Sequence, residues 1–165
     1  MVGFLNRYVS IEKESSSAYG TAVASSPVYG EVDDESFATN MDLLTRTDMS
    51  HAVASKSVTG TEYSEGGINM ALQIDDFTGN VFAAFFPKTD YNSILSAAHT
   101  FDEPTSAADP YDSYTIVVGR EQKTHIYPGM VASRLSLSAN VGEYVMLSAD
   151  FVGCRETATH AAVTA

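Results

Sequence analysis

The residues best suited to catalysis are Asp48, Ser50 and His51, where a carboxylate, a hydroxyl and an imidazole follow closely along the chain. A serine–histidine–aspartate triad needs these groups to converge, whereas adjacent residues on a strand point to opposite faces of the sheet. The sequence also lacks the G-x-S-x-G turn that exposes a nucleophilic serine. We therefore interpret this cluster as a chance arrangement, and we predict no catalytic residue.

The sequence predicts neither a metal site nor a cofactor site. His99, His125 and His160 lie far apart, without the spacing of metal ligands. The acidic run at 31–35 has carboxylates that a cation can use, but a solvated loop is the commoner structure for such a run. The phosphate pattern G-x-x-x-x-G-K-[ST] and the dinucleotide pattern G-x-G-x-x-G are both absent. Cys154 is the single cysteine, so no intramolecular disulfide can form, and we interpret it as a small apolar filler.

The composition is that of one folded domain. The chain has 165 residues, of which 44% are hydrophobic, and this is enough for a single core. No apolar run approaches the roughly 20 residues that a membrane helix needs. Residues 1–7 lack the basic and apolar regions of a secretion signal. We expect synthesis in a cytoplasm and no membrane insertion.

The charge balance is strongly acidic, with 21 acidic and 9 basic residues and a formal net charge of −12. Nonspecific binding of nucleic acid needs clustered lysines and arginines, so this composition disfavours it. Carboxylates that line a passage would instead keep DNA from adhering. A protein from high salt has a similar composition, because carboxylates keep its surface hydrated while salt screens their repulsion. Both interpretations stay open at the level of sequence.

The C-terminal third has the pattern of paired β-strands. Residues 114–156 contain apolar runs separated by turns at 119–122 and 142–143 and by a break at 128–129. Between 130 and 141, apolar and polar residues alternate with a period of two, as in a half-buried strand. One face carries Val131, Ser133, Leu135 and Leu137, and the other carries Ala132, Arg134, Ser136 and Ser138. We expect the first face in the sheet core and the second against water or another subunit.

Further strands are predicted in the N-terminal half. Residues 4–14 alternate loosely as a first strand, and 41–46 are apolar on one side, as in a short strand. Residues 52–58 and 66–74 alternate again, and we interpret them as neighbouring strands joined by a connection that glycines keep flexible. The serine- and alanine-rich segment 15–26 is predicted to be a loop or an extended arm.

One segment, 75–86, departs from this pattern and has the features of a single α-helix. Asp75 or Asp76 can cap its first amides, and Pro87 ends it. An apolar stripe at helical spacing consists of Phe77, Val81 and Phe85, with Phe82 beside it. We predict that this helix packs on the sheet and supplies much of its aromatic core.

Two segments have little pattern. Residues 88–113 form a long insertion with Pro104 and Pro110, and long loops of this kind are usually functional or disordered. Residues 157–165 are small and polar, so we expect them to be poorly ordered on their own.

Several stretches resemble the tail tube proteins (major tail proteins) of tailed bacteriophages and haloarchaeal tailed viruses. The clearest is Y-P-G-M-V-A-S-R-L-S-L-S-A-N-V-G-E-Y-V-M-L-S-A-D-F-V-G at 127–153. The others are G-F-L-N-R-Y-V-S-I-E-K-E at 3–14, Y-G-T at 19–21, G-E-V-D-D-E-S-F at 30–37, S-K-S-V-T-G-T-E-Y-S-E-G at 55–66 and D-D-F-T-G at 75–79. The resemblance covers most of the chain but does not extend to 88–113 or to the residues after 156.

The resemblance implies a mainly β fold, a β-sandwich or partial barrel with one flanking helix. It implies a single domain over residues 1–165, with an N-terminal arm, an inter-ring loop at about 88–113 and a short C-terminal tail. Such proteins form homo-hexameric rings, which stack into a tube that conducts viral DNA from capsid to host. The implied partners are other copies of the chain and the tape measure, terminator and baseplate proteins, while DNA passes through the lumen without specific binding. The implied location is the tail of the virion.

Three alternatives remain at this point. The nearest is another tail structural protein of the same fold, such as a tube terminator or a baseplate ring. A free-standing β-sandwich binding module would need a concave patch of exposed aromatic residues. A small β-barrel enzyme would need polar groups that converge in a pocket. The sequence indicates neither of these last two features.

Overall fold

The computed structural model describes residues 7–46, 56–86, 88–89, 99–103, 111–121 and 123–159. Within them the chain forms eleven strands and one helix. The strands are β1 (Arg7–Lys13), β2 (Val28–Gly30), β3 (Asp34–Glu35), β4 (Ala38–Arg46), β5 (Lys56–Ala71), β6 (Lys88–Thr89), β7 (Phe101–Asp102), β8 (Tyr114–Arg120), β9 (Lys123–Ser138), β10 (Met146–Gly153) and β11 (Thr157–Thr159). The helix is α1 (Asp76–Phe85), and the predicted mainly β fold with one flanking helix is confirmed.

Nine of the described strands form one antiparallel sheet, in the order β2-β1-β8-β9-β10-β5-β3 with β11 beside β9 and β4 beside β5. The long strand β9 joins two parts of this sheet. Residues 123–130 pair with β8 and partly with β11, whereas residues 131–138 pair with β10. The sheet therefore curls at β9 into a partial barrel, as predicted. Strands β6 and β7 form a separate two-stranded pair.

The break that the sequence predicted at 128–129 is a bend within β9. The register between β8 and β9 shifts between Tyr114 and Ile116, so that Pro128 and Gly129 together face one residue of β8. Gly129 has a φ of +64°, a left-handed conformation that glycine adopts without steric cost. A bulge of this kind bends a strand without ending it. The predicted break is thus a bend inside one strand.

Strand β5 is one continuous strand of 16 residues, where the sequence predicted two strands and a flexible connection. Its first half pairs with β4 and its second half with β10 and β3. Gly66 lies within the strand, and a Cβ there would overlap the backbone of Phe37. The glycine therefore permits a close approach between two segments and does not serve flexibility. The two-strand prediction was wrong, and its residues 52–55 lie outside the described residues.

The predicted division of β9 into two faces holds only in part. Arg134 pairs with Asp150, but Ala132 pairs with Phe151, so Ser133 is an extra residue in the ladder. Because a strand alternates strictly, this bulge exchanges the faces on its two sides. The side chains that pack against the core are consequently Ala132 and Leu135, while Leu137 is 53% exposed. Leu137 lies on the same face as Leu135, but it is next to the end of β9 and is left exposed, so its assignment to the sheet core was wrong.

The helix was predicted correctly. Asp75 is its N-cap and accepts a hydrogen bond from the backbone N–H of Thr78 at 2.8 Å. Phe77 and Val81 are fully buried, and Phe82 and Phe85 pack partly against the core. The capped helix thus fixes an aromatic face on the sheet, as the stripe of apolar residues predicted. Pro87 lies outside the described residues.

The core lies between the two parts of the sheet and α1. Its buried residues are Val9, Ile11, Phe37, Ile68, Met70, Phe77, Val81, Ala84, Tyr114, Ile116, Val118, Tyr127, Met130, Leu147, Ala149 and Phe151. The ring of Phe37 stacks on that of Tyr127, with 5.4 Å between their centroids. Since both parts of the sheet and the helix contribute, the described residues share one core.

Candidate assembly surfaces

The first half of β5 and its partner β4 form a two-stranded hairpin that carries exposed apolar side chains. Leu43 and Leu44 are neighbours on β4 and point to opposite faces, yet they are 59% and 64% exposed. Both faces of the hairpin are therefore open. We name Met41, Leu43, Leu44 and Val58 the hairpin cluster. Contiguous exposed apolar side chains usually mark a surface that another molecule covers.

A second exposed apolar group lies at the other end of β5. The residue after the strand, Leu72, donates its backbone N–H to the carbonyl oxygen of Val145 at 2.7 Å, which joins this end to the turn between β9 and β10. We name Leu72, Ile74, Leu137, Val141, Tyr144, Val145 and Met146 the turn cluster. Ile74 is 92% exposed and Tyr144 is 82% exposed.

The two clusters are separated by the length of one strand. Val58 and Leu72 are 14 residues apart on a chain that is extended from Lys56 to Ala71, so about 45 Å separates them at a rise of about 3.3 Å per residue. A molecule with different apolar surfaces at opposite ends can stack head to tail, and such heterologous contacts build open assemblies.

Two long strand edges are also unpaired within the described residues. The 131–138 half of β9 pairs with β10 on one side only, and β4 pairs with β5 alone. An open edge presents free N–H and C=O groups to which another strand can add. These edges lie on opposite margins of the β9–β10–β5–β4 part of the sheet.

The face of β5, β9 and β10 that points away from the core is mainly polar. Ser136, Ser148 and Asn69 form one row across it, and Arg134, Asp150 and Gly67 form the next. We name these six residues with Glu65 and Ser138 the outer face. Its side chains are mostly small, as the sequence predicted for the serines of β9. A face of this kind suits contact with water.

Arg120 connects β8 to the segment between β3 and β4. Its guanidinium donates from Nε and Nη2 to the two carboxylate oxygens of Glu35, at 2.8 and 2.6 Å, and from Nη2 to the carbonyl oxygen of Phe37 at 2.6 Å. Partial burial of Glu35 opposes ionisation, but the hydrogen bonds and charge of Arg120 prevail and hold the pKa of that carboxyl below its ordinary value. The Tyr127 hydroxyl donates to the same carbonyl at 3.2 Å.

The acidic run at 31–35 is thus not simply a solvated loop, which corrects that interpretation. Asp34 and Glu35 form β3 and pair with β5, and Glu35 carries the ion pair with Arg120. Glu31 accepts a hydrogen bond from Gln73 at 3.1 Å. Across the part of the chain that the structure describes, no three His, Cys, Asp or Glu side chains are grouped so that they could hold a metal ion.

Glu14 is a buried carboxylate that the sequence did not single out. It is 3% exposed. Oε1 accepts from the Thr115 hydroxyl and the Gly129 backbone N–H, at 2.8 and 2.7 Å, and Oε2 accepts from the Gly20 backbone N–H and the Ser113 hydroxyl, at 3.0 and 2.7 Å. Four donors satisfy this charge without a basic partner. Glu14 thereby ties the predicted arm to β8 and to the bend of β9.

The structure describes some of the candidate residues for chemistry and not others. Asp48, Ser50, His51 and His160 lie outside the described residues. His125 contacts Glu156 through Nδ1 and Oε1 at 2.6 Å, which links β9 to the residue before β11. Cys154 packs against Gly20 and Gly129, where a Cβ would crowd its Sγ. Part of the predicted tail is ordered, since 157–159 form β11.

The hairpin cluster has a signal in the sequence. Leu43 and Leu44 are consecutive apolar residues in a short strand, so one of them must face outward whichever face is buried. No comparable signal identifies Glu14, because its four partners are spread over the chain.

A family model described as phage tail tube protein matches residues 5–165. The chain belongs to the phage tail tube protein family. It is therefore a structural component of virion tails, which confirms the resemblance seen in the sequence. No curated protein sequence matches the chain.

Solved structures of low sequence identity share the fold of this tail tube protein. A chain in the virion of a native gene transfer agent particle has a TM-score of 0.59 at 6% identity, over 93% of this chain and 95% of that one. A chain of the six-fold symmetrised baseplate of the anti-feeding prophage has a TM-score of 0.58 at 6% identity, over 96% and 95%. The SPP1 tail tube protein has a TM-score of 0.53 at 10% identity, over 94% and 78%. Among the residues described here, no helix is long and apolar enough to span a membrane.

Proposed function

We propose that this tail tube protein is the repeating subunit of the tube itself, forming homo-hexameric rings that stack and conduct viral DNA from capsid to host. The observation that carries the proposal is the placement of the hairpin cluster and the turn cluster at opposite ends of β5. When the hairpin of one copy covers the turn cluster of the next, both apolar surfaces are removed from water. The contact is heterologous, so it continues along an axis.

Ring closure uses the open margins of the sheet. The unpaired edge of β9 at 131–138 meets the unpaired edge of β4 of a neighbouring copy, so the sheets join into one barrel without free edges. The six-fold symmetry of the similar anti-feeding prophage baseplate supports six copies per ring. The implied partners at the ends of the tube are the terminator, tape measure and baseplate proteins.

The outer face lines the lumen in this arrangement. Within it, Glu65 and Asp150 are acidic and Arg134 is basic, and the chain as a whole carries a charge of −12. The predicted net negative lumen repels phosphate, which lets DNA pass without specific binding. This function needs neither a catalytic residue nor a cofactor.

The 88–113 segment is the proposed inter-ring loop within a single domain. Its described parts include the short pair β6–β7, and Phe101 packs near Phe82 and Phe86 of the helix region, with centroid distances of 5.9 and 6.1 Å. These contacts fix the base of the loop on the body, so the rest of it can reach a neighbouring ring.

Electron microscopy of the purified chain tests the proposal. Negative staining at rising protein concentration should give long hollow filaments with six-fold end views. Isolated rings that never elongate would favour the alternative of a terminator or baseplate ring. A protein that stays monomeric under all conditions would contradict both assignments and favour a free-standing binding module.

A further inference from the structure

An open pocket lies at the base of the β4–β5 hairpin, where the chain passes from β10 to β11. Its volume is about 580 Å³, within the range of cavities that accept a ligand. The hairpin forms one wall, and the chain after β10 forms the other. The lining residues are Thr39, Met41, Glu62, Arg155, Glu156 and Thr157. We name this cavity the hairpin pocket.

Hydrogen bonds hold the two walls of the hairpin pocket together. Thr39 and Met41 are alternate residues of β4 and therefore share a face, and Met41 pairs with Glu62 in the ladder. Arg155 donates from Nη1 to Oε2 of Glu62 at 2.8 Å. The backbone N–H of Glu156 donates to the Thr39 hydroxyl at 3.4 Å. The recess is therefore already formed in the isolated subunit.

The side chains of the hairpin pocket suit an apolar and aromatic occupant. Met41 is 56% exposed and offers an apolar surface. The Arg155 side chain is 67% exposed, and its pairing with Glu62 places the guanidinium at the rim. A guanidinium stacks favourably on the face of an aromatic ring. A segment with an aliphatic and an aromatic side chain would therefore find a partner for each.

The turn between β9 and β10 is such a segment. Its apolar side chains Val141 and Tyr144 are 107% and 82% exposed. The backbone N–H of Glu143 donates to the Asn140 carbonyl oxygen at 3.2 Å, and the Asn140 side-chain amide donates to Oε2 of Glu143 at 2.9 Å. Gly142 has a φ of +86°, the positive value that a type II turn needs at its third residue. Because the projection is preformed, its insertion into a recess costs little ordering.

The projecting turn and the hairpin pocket lie at opposite ends of β10. The turn directly precedes Met146, and the pocket residue Arg155 follows closely after Gly153. The eight residues of β10 therefore separate them by about 26 Å, at a rise of about 3.3 Å per residue. A projection at one end of a subunit and a recess at the other meet when copies stack head to tail.

We propose that the turn at 140–144 of one copy seats in the hairpin pocket of the next copy along the tube, with Val141 against Met41 and the Tyr144 ring on Arg155. The proposal rests on the proposed tube function and names the recess that receives the turn cluster. Met41 also belongs to the hairpin cluster, so the seated turn is continuous with the apolar contact between the two clusters. This contact gives stacking one polarity, because two turns or two pockets that face each other leave the projections unseated.

Two variants test the seating from its two sides. Tyr144→Ala removes an anchor of the turn, and Thr157→Trp fills the pocket from β11 without changing either apolar cluster. Each should raise the critical concentration for filament formation about tenfold or more. Each should leave the melting temperature of the monomer nearly unchanged, since Tyr144 and Thr157 are exposed. Tyr29→Ala is the matched control, because Tyr29 on β2 is 62% exposed and belongs to neither cluster, and it should assemble like the wild type.

Chemical crosslinking tests the contact in assembled filaments. In a Cys154→Ala background, which removes the single native thiol, Val141→Cys combined with Thr157→Cys should give a ladder of covalent multimers with a short thiol crosslinker. Val141→Cys alone should give monomers, whereas dimers would reveal turn-to-turn contacts and overturn the proposal.

The outcomes separate this contact from the tube function. If wild-type filaments form but Thr157→Trp assembles like the wild type, or the paired cysteines in filaments give no ladder, the hairpin pocket is not the seat of the turn and the tube function stands. If the wild type forms no filaments under any condition, the tube function itself fails.

Discussion

The guanidinium of Arg120 lies against the carboxylate of Glu35, with two hydrogen bonds of 2.8 and 2.6 Å between them. Arg120 ends β8 and Glu35 ends β3, residues that are 85 positions apart and belong to different parts of the curled sheet. A bidentate pair of this geometry is stronger than an ordinary surface ion pair because it also fixes orientation. It therefore holds the two parts of the partial barrel at a set distance.

We expect Arg120→Ala to lower the free energy of unfolding by about 1–3 kcal/mol, since it leaves the Glu35 carboxylate and the Phe37 carbonyl without this donor. Urea unfolding of the monomer measures the loss. Lys13→Ala is the control, because Lys13 forms an ion pair with Asp112 from a side chain that is 52% exposed. This control should cost less than about 1 kcal/mol, and equal losses would contradict a special role for Arg120.

The ion pair between Arg120 and Glu35 also predicts that the free energy of unfolding depends on pH. The folded pKa of Glu35 is below the ordinary value of 4.5, so the unfolded state binds a proton more readily. The stability that Glu35 contributes is thus complete above that ordinary value and is lost as the pH falls through the folded pKa. Unfolding of the wild type and of Glu35→Gln, measured from neutral pH downward, should therefore converge in acid. A constant difference between the two proteins would exclude this linkage.

An uncharged replacement of Glu14 should lower the free energy of unfolding. In Glu14→Gln an amide NH₂ replaces one oxygen, and it would face the backbone N–H of either Gly20 or Gly129. We expect a loss of about 1–3 kcal/mol for each donor left without an acceptor, measured by thermal or urea unfolding. Glu12→Gln is the comparison, because Glu12 accepts from an exposed segment at Ser25 and Ser26. Similar losses in the two variants would show that burial of Glu14 has no added importance.

Leu135 and Leu137 should respond differently to the same substitution. Leu135 packs against the core, so Leu135→Asp should destabilise the monomer by about 2–4 kcal/mol. Leu137 is 53% exposed, so Leu137→Asp should leave folding within about 1 kcal/mol of the wild type and weaken filament formation instead. Circular dichroism melting and electron microscopy give the two measurements. Equal unfolding of both variants would show that Leu137 contributes to the core as much as Leu135 does.

The contrast between these two leucines shows how far the sequence predicts this fold. Period-two patterns locate most strands, and the Asp75 cap with its aromatic stripe locates the helix, because these signals are local. The bulge at Ser133, the bend at Gly129 and the close approach at Gly66 each depend on the segment that packs against that residue. A local sequence pattern carries no information about that segment. Glu14 and Arg120 were missed for the same reason, since their partners lie far away in the sequence.

The hairpin cluster should be dispensable for folding and required for assembly. Leu44 and Val58 are paired across the hairpin and are 64% and 65% exposed. Leu44→Ser should therefore leave the melting temperature of the monomer nearly unchanged. The Leu44 side chain is mostly exposed, so its loss removes little packing from the core. In filaments it should raise the critical concentration at least about tenfold, since a buried leucine contributes about 1.5–3 kcal/mol. A melting temperature that falls while assembly is unaffected would place this cluster inside the fold of the subunit.

Residues 90–98 and 104–110 of the 88–113 segment should exchange their amide hydrogens quickly in the monomer and slowly in the tube. Its prolines, small residues and acids offer little apolar surface for folding alone, and ordering costs about 1–2 kcal/mol per residue of backbone. Contact with a neighbouring ring can offset that cost through its few large side chains, which include Ile94, Leu95 and Tyr111. Phe101, whose ring packs near Phe82 at a centroid distance of 5.9 Å, should be protected in both states and serves as the internal control.

Hydrogen exchange with mass spectrometry on both states measures this difference. Fast exchange throughout 90–98 and 104–110 in the assembled tube would contradict an inter-ring role for the segment. Deleting those residues should then leave filament length and critical concentration unchanged. If the proposal is correct, the same deletion raises the critical concentration while the melting temperature of the monomer stays constant, because the core residues of β8, β9 and α1 remain in place.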